Sequence, residues 1–235
     1  ILEIKNGKKD KIQLLKGKMI QESKFTGNEL KYLKNVLKKK TSYVSKLENL
    51  FSKKNKIKYS IAVNSGTSAL HACLAALDIG YGDEVIIPAH TVIMPTFAAL
   101  ERNANPVYAD IDKDTFNILP ENIEKKITRK TKAIIAVHMH GLPADMIKIM
   151  KIAKKYNLFV IEDAAQCLMG KIGNKLVGSF GDMTCYSFET KKHLCGFEGG
   201  MITTNNKYLA MKSRKFAGLG YKNLTSKSGI KQKLP

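Results

Sequence analysis

The chain has 235 residues, 44% of them hydrophobic, and a formal net charge of +20. That length buries a substantial core in one large domain or two small ones, and no apolar run approaches the roughly 20 residues of a membrane-spanning helix. The charge sits at the ends: residues 1–60 carry 17 Lys against 5 acids, residues 206–235 carry 8 basic residues and no acid, and residues 61–205 balance at 15 each. The lysines are interspersed with Asn, Ser and Ile, without an arginine–aromatic pattern for base stacking. A solvated basic surface is therefore the better reading, and neither nucleic acid nor a membrane is an expected partner. Such a field still attracts a polyanionic or nucleotide-bearing substrate. Cys73, Cys167, Cys185 and Cys195 are widely spaced with no C-x-x-C pair, which fits reduced thiols in the cytoplasm better than a disulfide framework or a zinc site. The first residues show no signal-peptide pattern. They begin with Ile rather than Met, so the true start is expected to be missing.

Residues 1–24 form a basic N-terminal segment without clear periodicity. From Gly27 to Lys39, Leu30, Leu33, Val36 and Leu37 have helical spacing, and a second amphipathic helix fits Tyr43 to Lys53. Tyr59 to Val63 reads as a strand that runs into Asn64-Ser65-Gly66-Thr67-Ser68 and then an apolar helix from Ala69 to Leu77. The first-turn amides and the dipole of such a helix make a phosphate site. An ordinary capped helix start explains the same residues equally well. Strands follow at 85–88, 106–110 and 133–137, with helices at 94–101, 120–126 and 146–156. Another strand, 158–161, ends in Glu162-Asp163. Continuous apolar strands alternating with helices predict a three-layer α/β/α sandwich around a mainly parallel sheet. Ligands of such sheets gather at the carboxyl ends of the strands.

Asp163 stands at one such end, where a carboxylate could pair with a pyridine nitrogen or cap a helix over Ala164-Ala165-Gln166. His138 and His140 share one face of a strand end, but two ligands without a nearby acid or cysteine do not make a metal site. The strand Met183 to Phe188 leads into Glu189-Thr190-Lys191-Lys192-His193-Leu194-Cys195-Gly196-Phe197-Glu198-Gly199-Gly200, with a further strand at 201–204. A lysine on that turn is placed as an amine nucleophile toward a carbonyl compound; two lysines beside glycines also make an ordinary solvated turn.

Taken in order, these segments resemble one family. Asn64 to His71, Gly82 to Pro88, Val137 to Asp145, Glu162 to Gln166, Gly178 to Asp182 and Ser187 to Gly200 are similar to the motifs of the DegT/DnrJ/EryC1/StrS sugar aminotransferases. These are enzymes of the fold-type I class dependent on pyridoxal 5'-phosphate (PLP). The resemblance covers about Phe25 to Tyr221, which it implies is the PLP-binding large domain. It implies that Lys192, rather than Lys191, engages the cofactor aldehyde and later moves a proton as general base and acid. Asp163 would hold the pyridine nitrogen and Gln166 the phenolic oxygen. The Gly66 and Thr67 amides with the Ser187 hydroxyl would hold the phosphate. Val92 occupies the position over the ring where the family usually has an aromatic. The implied reaction moves an amino group from glutamate to a keto group of a nucleotide-linked sugar, for amino-sugar or polysaccharide synthesis, in a homodimer. A sugar dehydratase branch of the family carries histidine at the Lys192 position, so lysine favours transamination. A non-catalytic binding subunit remains open at this point. The family continues into a C-terminal small domain, and residues 222–235 are expected to be a basic tail that stops before it.

Overall fold

The structure, a computed structural model, describes residues 27–39, 43–218 and 220; the expected segments 1–24 and 222–235 lie outside these. Chain contacts gather into two units, 1–41 and 42–235. In the first unit, α1 (Glu29–Lys39) forms where the apolar spacing predicts it. No described helix is long and apolar enough to cross a membrane.

The second unit runs α2 (Val44–Asn55), β1 (Tyr59–Val63), α3 (Gly66–Ala76), β2 (Glu84–Pro88), α4 (Met94–Glu101), β3 (Asn105–Ala109), α5 (Pro120–Lys125) and β4 (Thr131–Val137). It continues with α6 (Met146–Tyr156), β5 (Phe159–Asp163), β6 (Lys171–Ile172), β7 (Lys175–Leu176), β8 (Met183–Ser187), β9 (Gly200–Thr204) and α7 (Lys207–Ala217). Seven strands form one sheet in the order β1-β9-β8-β5-β4-β2-β3, while β6 and β7 pair as a separate hairpin. Strands β8, β5, β4, β2 and β3 are mutually parallel. Strand β9 runs against both of its neighbours, β8 and β1.

Alternation along the strands divides the core into two layers. Val85, Ile87, Ala133, Ile135, Val137, Ile161 and Met183 face α3, α4 and α7. Ile86, Ile134, Ala136 and Val160 face Ile123 of α5 and Met146, Ile149 and Ala153 of α6. Each of the Val, Ile and Met side chains among them contributes about 1.5–3 kcal/mol on full burial, so the sheet is a rigid floor under whatever its ends carry. The expected α/β/α sandwich is thus the observed architecture. A smaller cluster packs α2 on the sheet, with the Phe51 ring edge-on to Tyr186 at 4.9 Å and to Phe188 at 5.8 Å between centroids.

α3 is buried nearly all round, through Ala69, Leu70, Ala72, Cys73, Leu74 and Ala76. Its small residues let the backbone lie close to β8 and β9. Two ends of the second unit are locked by charge. Both Arg214 guanidinium nitrogens reach the Glu48 carboxylate at 3.1 Å, and Glu48 Oε1 also accepts the Ala62 amide at 2.9 Å.

Candidate active site

The carboxyl ends of β1, β5 and β8 open on one side of the sheet, as expected for a ligand site. Beyond β1, Ser65 takes an extended conformation and caps α3, its Oγ accepting the Ser68 amide at 3.0 Å. The Gly66 and Thr67 amides, which have no intrahelical partner at a helix start, therefore stand at the head of α3. Gly66 lies against β8 so closely that a Cβ built there falls 2.9 Å from Ser187 Cβ. A Cβ on Gly200, at the start of β9, would meet the Ser65 carbonyl. The helix start, Ser187 and the mouth of β9 are thus pressed together by two residues without side chains.

Between β8 and β9 the chain makes the loop that carries the lysines. Its base is closed by Phe188 N–H to Gly199 O at 2.8 Å and Gly196 N–H to Phe188 O at 2.7 Å. Inside it, the Lys192 amide donates to Glu189 O at 2.9 Å, and the Lys191 amide donates to the Glu189 carboxylate at 3.0 Å. This turn leaves Lys191 exposed and half-buries Lys192. Lys192 joins Ser65, Gly66, Thr67, Val92, Asp163, Ser187 and Glu198 around a cleft of about 280 Å³, at the lower end of small-molecule sites.

Asp163 is buried at the end of β5. Desolvation pushes its carboxyl above the usual carboxylate range, opposed chiefly by the Ala165 amide and more weakly by the nearby Lys192 charge. The Ala165 N–H donates to Asp163 Oδ1 at 3.0 Å, but residues 164–168 form turns rather than a helix. The alternative of a helix cap is therefore not what Asp163 does. Without that helix, Gln166 does not line the cleft with the others. It sits beside it, its Oε1 accepting the His140 amide at 2.9 Å, which leaves the amide nitrogen as its donor end.

Six of the seven residues singled out from the sequence, Gly66, Thr67, Val92, Asp163, Ser187 and Lys192, share this cleft. Pattern reading missed Glu189, Glu198 and Met94, which also line it. For Glu189 the signal was available: a carboxylate three residues before a lysine, on a turn. A larger hollow of about 500 Å³ lies between Val44, Val63, His71 and Phe216, but no carboxylate or lysine lines it. His138, one of the two histidines at the end of β4, has both ring nitrogens engaged by protein. The Ala144 amide donates to Nδ1 at 3.0 Å, which puts the ring proton on Nε2, facing Glu162 Oε2 at 3.2 Å.

Residues 23–234 match the model of the DegT/DnrJ/EryC1/StrS aminotransferase family. The chain belongs to this family. Among curated relatives, it is 41% identical over 206 residues to a GDP-perosamine synthase of Escherichia coli O157:H7, covering 86% of this chain and 57% of that protein. Among solved structures, an aminotransferase from Psychrobacter cryohalolentis superposes with a TM-score of 0.82 at 38% identity, covering 90% of this chain and 54% of that one. NtdA from Bacillus subtilis, solved with bound cofactor PMP, superposes with a TM-score of 0.82 at 35% identity, covering 92% and 48%. This member of the DegT/DnrJ/EryC1/StrS family therefore spans about half the length of the relatives it matches.

Proposed function

We propose that this chain is the cofactor-binding part of a PLP-dependent sugar aminotransferase that transfers an amino group from glutamate to a keto group of a nucleotide-linked sugar. The observation that carries the proposal is the polarity of the cleft. One end offers helix-start amides and a hydroxyl to an anion, the other a buried carboxyl that lacks sufficient positive charge, and a lysine stands between them. A phosphorylated pyridine aldehyde matches that sequence of demands. The Gly66 and Thr67 amides with Ser187 Oγ would hold its phosphate, Asp163 its ring nitrogen and Gln166 its phenolic oxygen, while Val92 would cover one face. When bound, PLP supplies the electron-withdrawing ring that makes the α-hydrogen of an amino acid acidic.

The chain's own residues do the rest. Lys192 Nζ would hold the aldehyde carbon and, when free of it, would take the proton from the amino donor's Cα as general base. Asp163, short of positive charge in its buried position, favours a protonated ring nitrogen. The α3 dipole holds the anion without spending a lysine on it. A lysine at position 192, together with a family match to aminotransferases, supports amino transfer over sugar dehydration. The GDP-perosamine synthase likeness supports a nucleotide-linked sugar as acceptor. A cytoplasmic homodimer is part of the same proposal; the four free cysteines agree with a reducing compartment.

Adding PLP to the purified chain should give the visible absorption that its aldehyde acquires on joining a protein amine. Lys192→Ala should abolish that band and Lys191→Ala should keep it. Glutamate should then bleach the band. A chain whose band survives Lys192→Ala, or that never develops one, would overturn the assignment.

A further inference from the structure

Two segments prominent in the sequence, Val137 to Asp145 and Gly178 to Asp182, contribute no residue to the cleft. Both meet at Glu162. This carboxylate, fully buried on the opposite face of β5 from Asp163, accepts the Gly178 amide at 2.8 Å, the Phe180 amide at 2.9 Å and the Gly181 amide at 2.8 Å. Its remaining donor is His138 Nε2 at 3.2 Å. Buried carboxylates tolerate such a position only when their oxygens are satisfied, and these are. The His138 ring is in turn fixed from its other side by the Ala144 amide at 3.0 Å.

The His138 backbone reaches the other face of the same strand end. Its N–H donates to the Asp163 carbonyl at 3.1 Å, and two residues on, the His140 N–H donates to Gln166 Oε1 at 2.9 Å. One short segment therefore grips two of the groups assigned to the cofactor ring. Asn117 steadies the same segment, accepting the Met139 amide at 3.0 Å and donating to Leu142 O at 3.1 Å. His140 completes it in a left-handed conformation, φ 53°, of the kind that persists where surrounding bonds over-determine it.

On the PLP-binding assignment above, we propose that His138 is a positioning residue. Its ring, held between Glu162 and the Ala144 amide, sets the 138–141 segment, and that segment aims Asp163 and Gln166 at the ring nitrogen and phenolic oxygen of the cofactor. The pair His138-x-His140 is a backbone clamp, and its first imidazole has no lone pair left for a metal. Gln166 acquires a defined role from this: with Oε1 accepting the His140 amide, its NH2 group is the end left to donate to the phenolic oxygen.

The test is His138→Phe, which keeps a planar ring but removes both ring hydrogen bonds. PLP affinity should fall about tenfold, and the visible band of the bound cofactor should shift in position, because the groups on its nitrogen and phenolic oxygen are no longer aligned. A variant that is less stable but binds PLP with unchanged affinity and an unchanged spectrum would overturn the proposal, leaving His138 a purely structural residue. Should His138→Phe fail to fold, amide hydrogen exchange on the unmodified protein decides. PLP should slow exchange at His140, whose amide partner is then pinned by the cofactor, more than at Ile86 in the middle of the sheet. Equal effects at the two amides would overturn it. A wild-type chain without any PLP band would instead defeat the underlying assignment, so the two failures are separable.

Discussion

Gly66→Ala is a sharp test of how the cleft is built. Alanine favours helices over glycine by about 1 kcal/mol in a helix interior, and less at a first-turn position such as this one. On propensity alone the substitution would be neutral or mildly stabilising. The structure opposes this, because the new methyl would stand 2.9 Å from Ser187 Cβ and 3.4 Å from Ser187 Oγ, well inside the ordinary carbon–carbon separation of about 3.5–4.0 Å. The obstacle is a β-carbon next to backbone, so it cannot swing aside. Either α3 or the end of β8 must move by several tenths of an ångström, and overpacking of this kind costs about 1–3 kcal/mol. Set against the propensity gain, the net loss should be about 1–2 kcal/mol. For a chain of this size, that lowers the melting temperature by about 2–8 °C. PLP affinity should fall as well, since the displaced parts are the assigned phosphate amides and the Ser187 hydroxyl. Urea unfolding and PLP titration of the same preparation measure both. If stability and PLP affinity were both equal to wild type, the close approach of α3 to β8 would be refuted, and the phosphate assignment with it.

Other substitutions probe separate features. Asp163→Asn should stabilise the cofactor-free protein at neutral pH while weakening PLP binding. Burial raises the folded-state pKa of Asp163, so its contribution is present at acid pH and is lost as pH rises through that raised value. The advantage of the asparagine variant should therefore be absent well below the ordinary carboxylate range and grow above it, as urea midpoints across pH would show. Arg214→Ala strands the buried Glu48 carboxylate, 8% exposed, and should cost about 3–5 kcal/mol, read as a fall in the denaturation midpoint.

Much of this was legible in the sequence because buried parallel strands are continuous apolar runs. Ile86 and Ile134 face one layer, while Val85, Ile87 and Ile135 face the other, so no polar alternation confuses the pattern. The order of those strands was not legible. Nothing in Met201-Ile202-Thr203-Thr204 says that β9 runs backwards between β1 and β8. Helix α7 was hidden by its lysines, and the stripe it buries, Leu209, Ala210 and Ser213, is too small and polar to stand out. The hairpin of β6 and β7 has two residues per strand and no periodicity to read. In the site, spacing alone could not choose between Lys191 and Lys192; the family resemblance made that choice. The structure adds a turn in which Glu189 accepts both backbone amides, with Lys191 exposed and Lys192 lining the cleft. A helix capped by Asp163 would have put Gln166 one turn further along it. The turn at 164–168 carries it toward His140 instead.

The reversed strand also imposes a timetable on the chain as it is made. Tyr59 pairs with Thr204, and Val63 with Gly200, so β1 waits for β9, made long after it, before its sheet hydrogen bonds can form. Glu48 waits longer still for Arg214. Pairings this distant in sequence form slowly and leave apolar edges uncovered in the interval. Released chains truncated before residue 200 should therefore be more dependent on chaperones than chains extending past 217, although among the described residues the two differ by a single strand and a single helix.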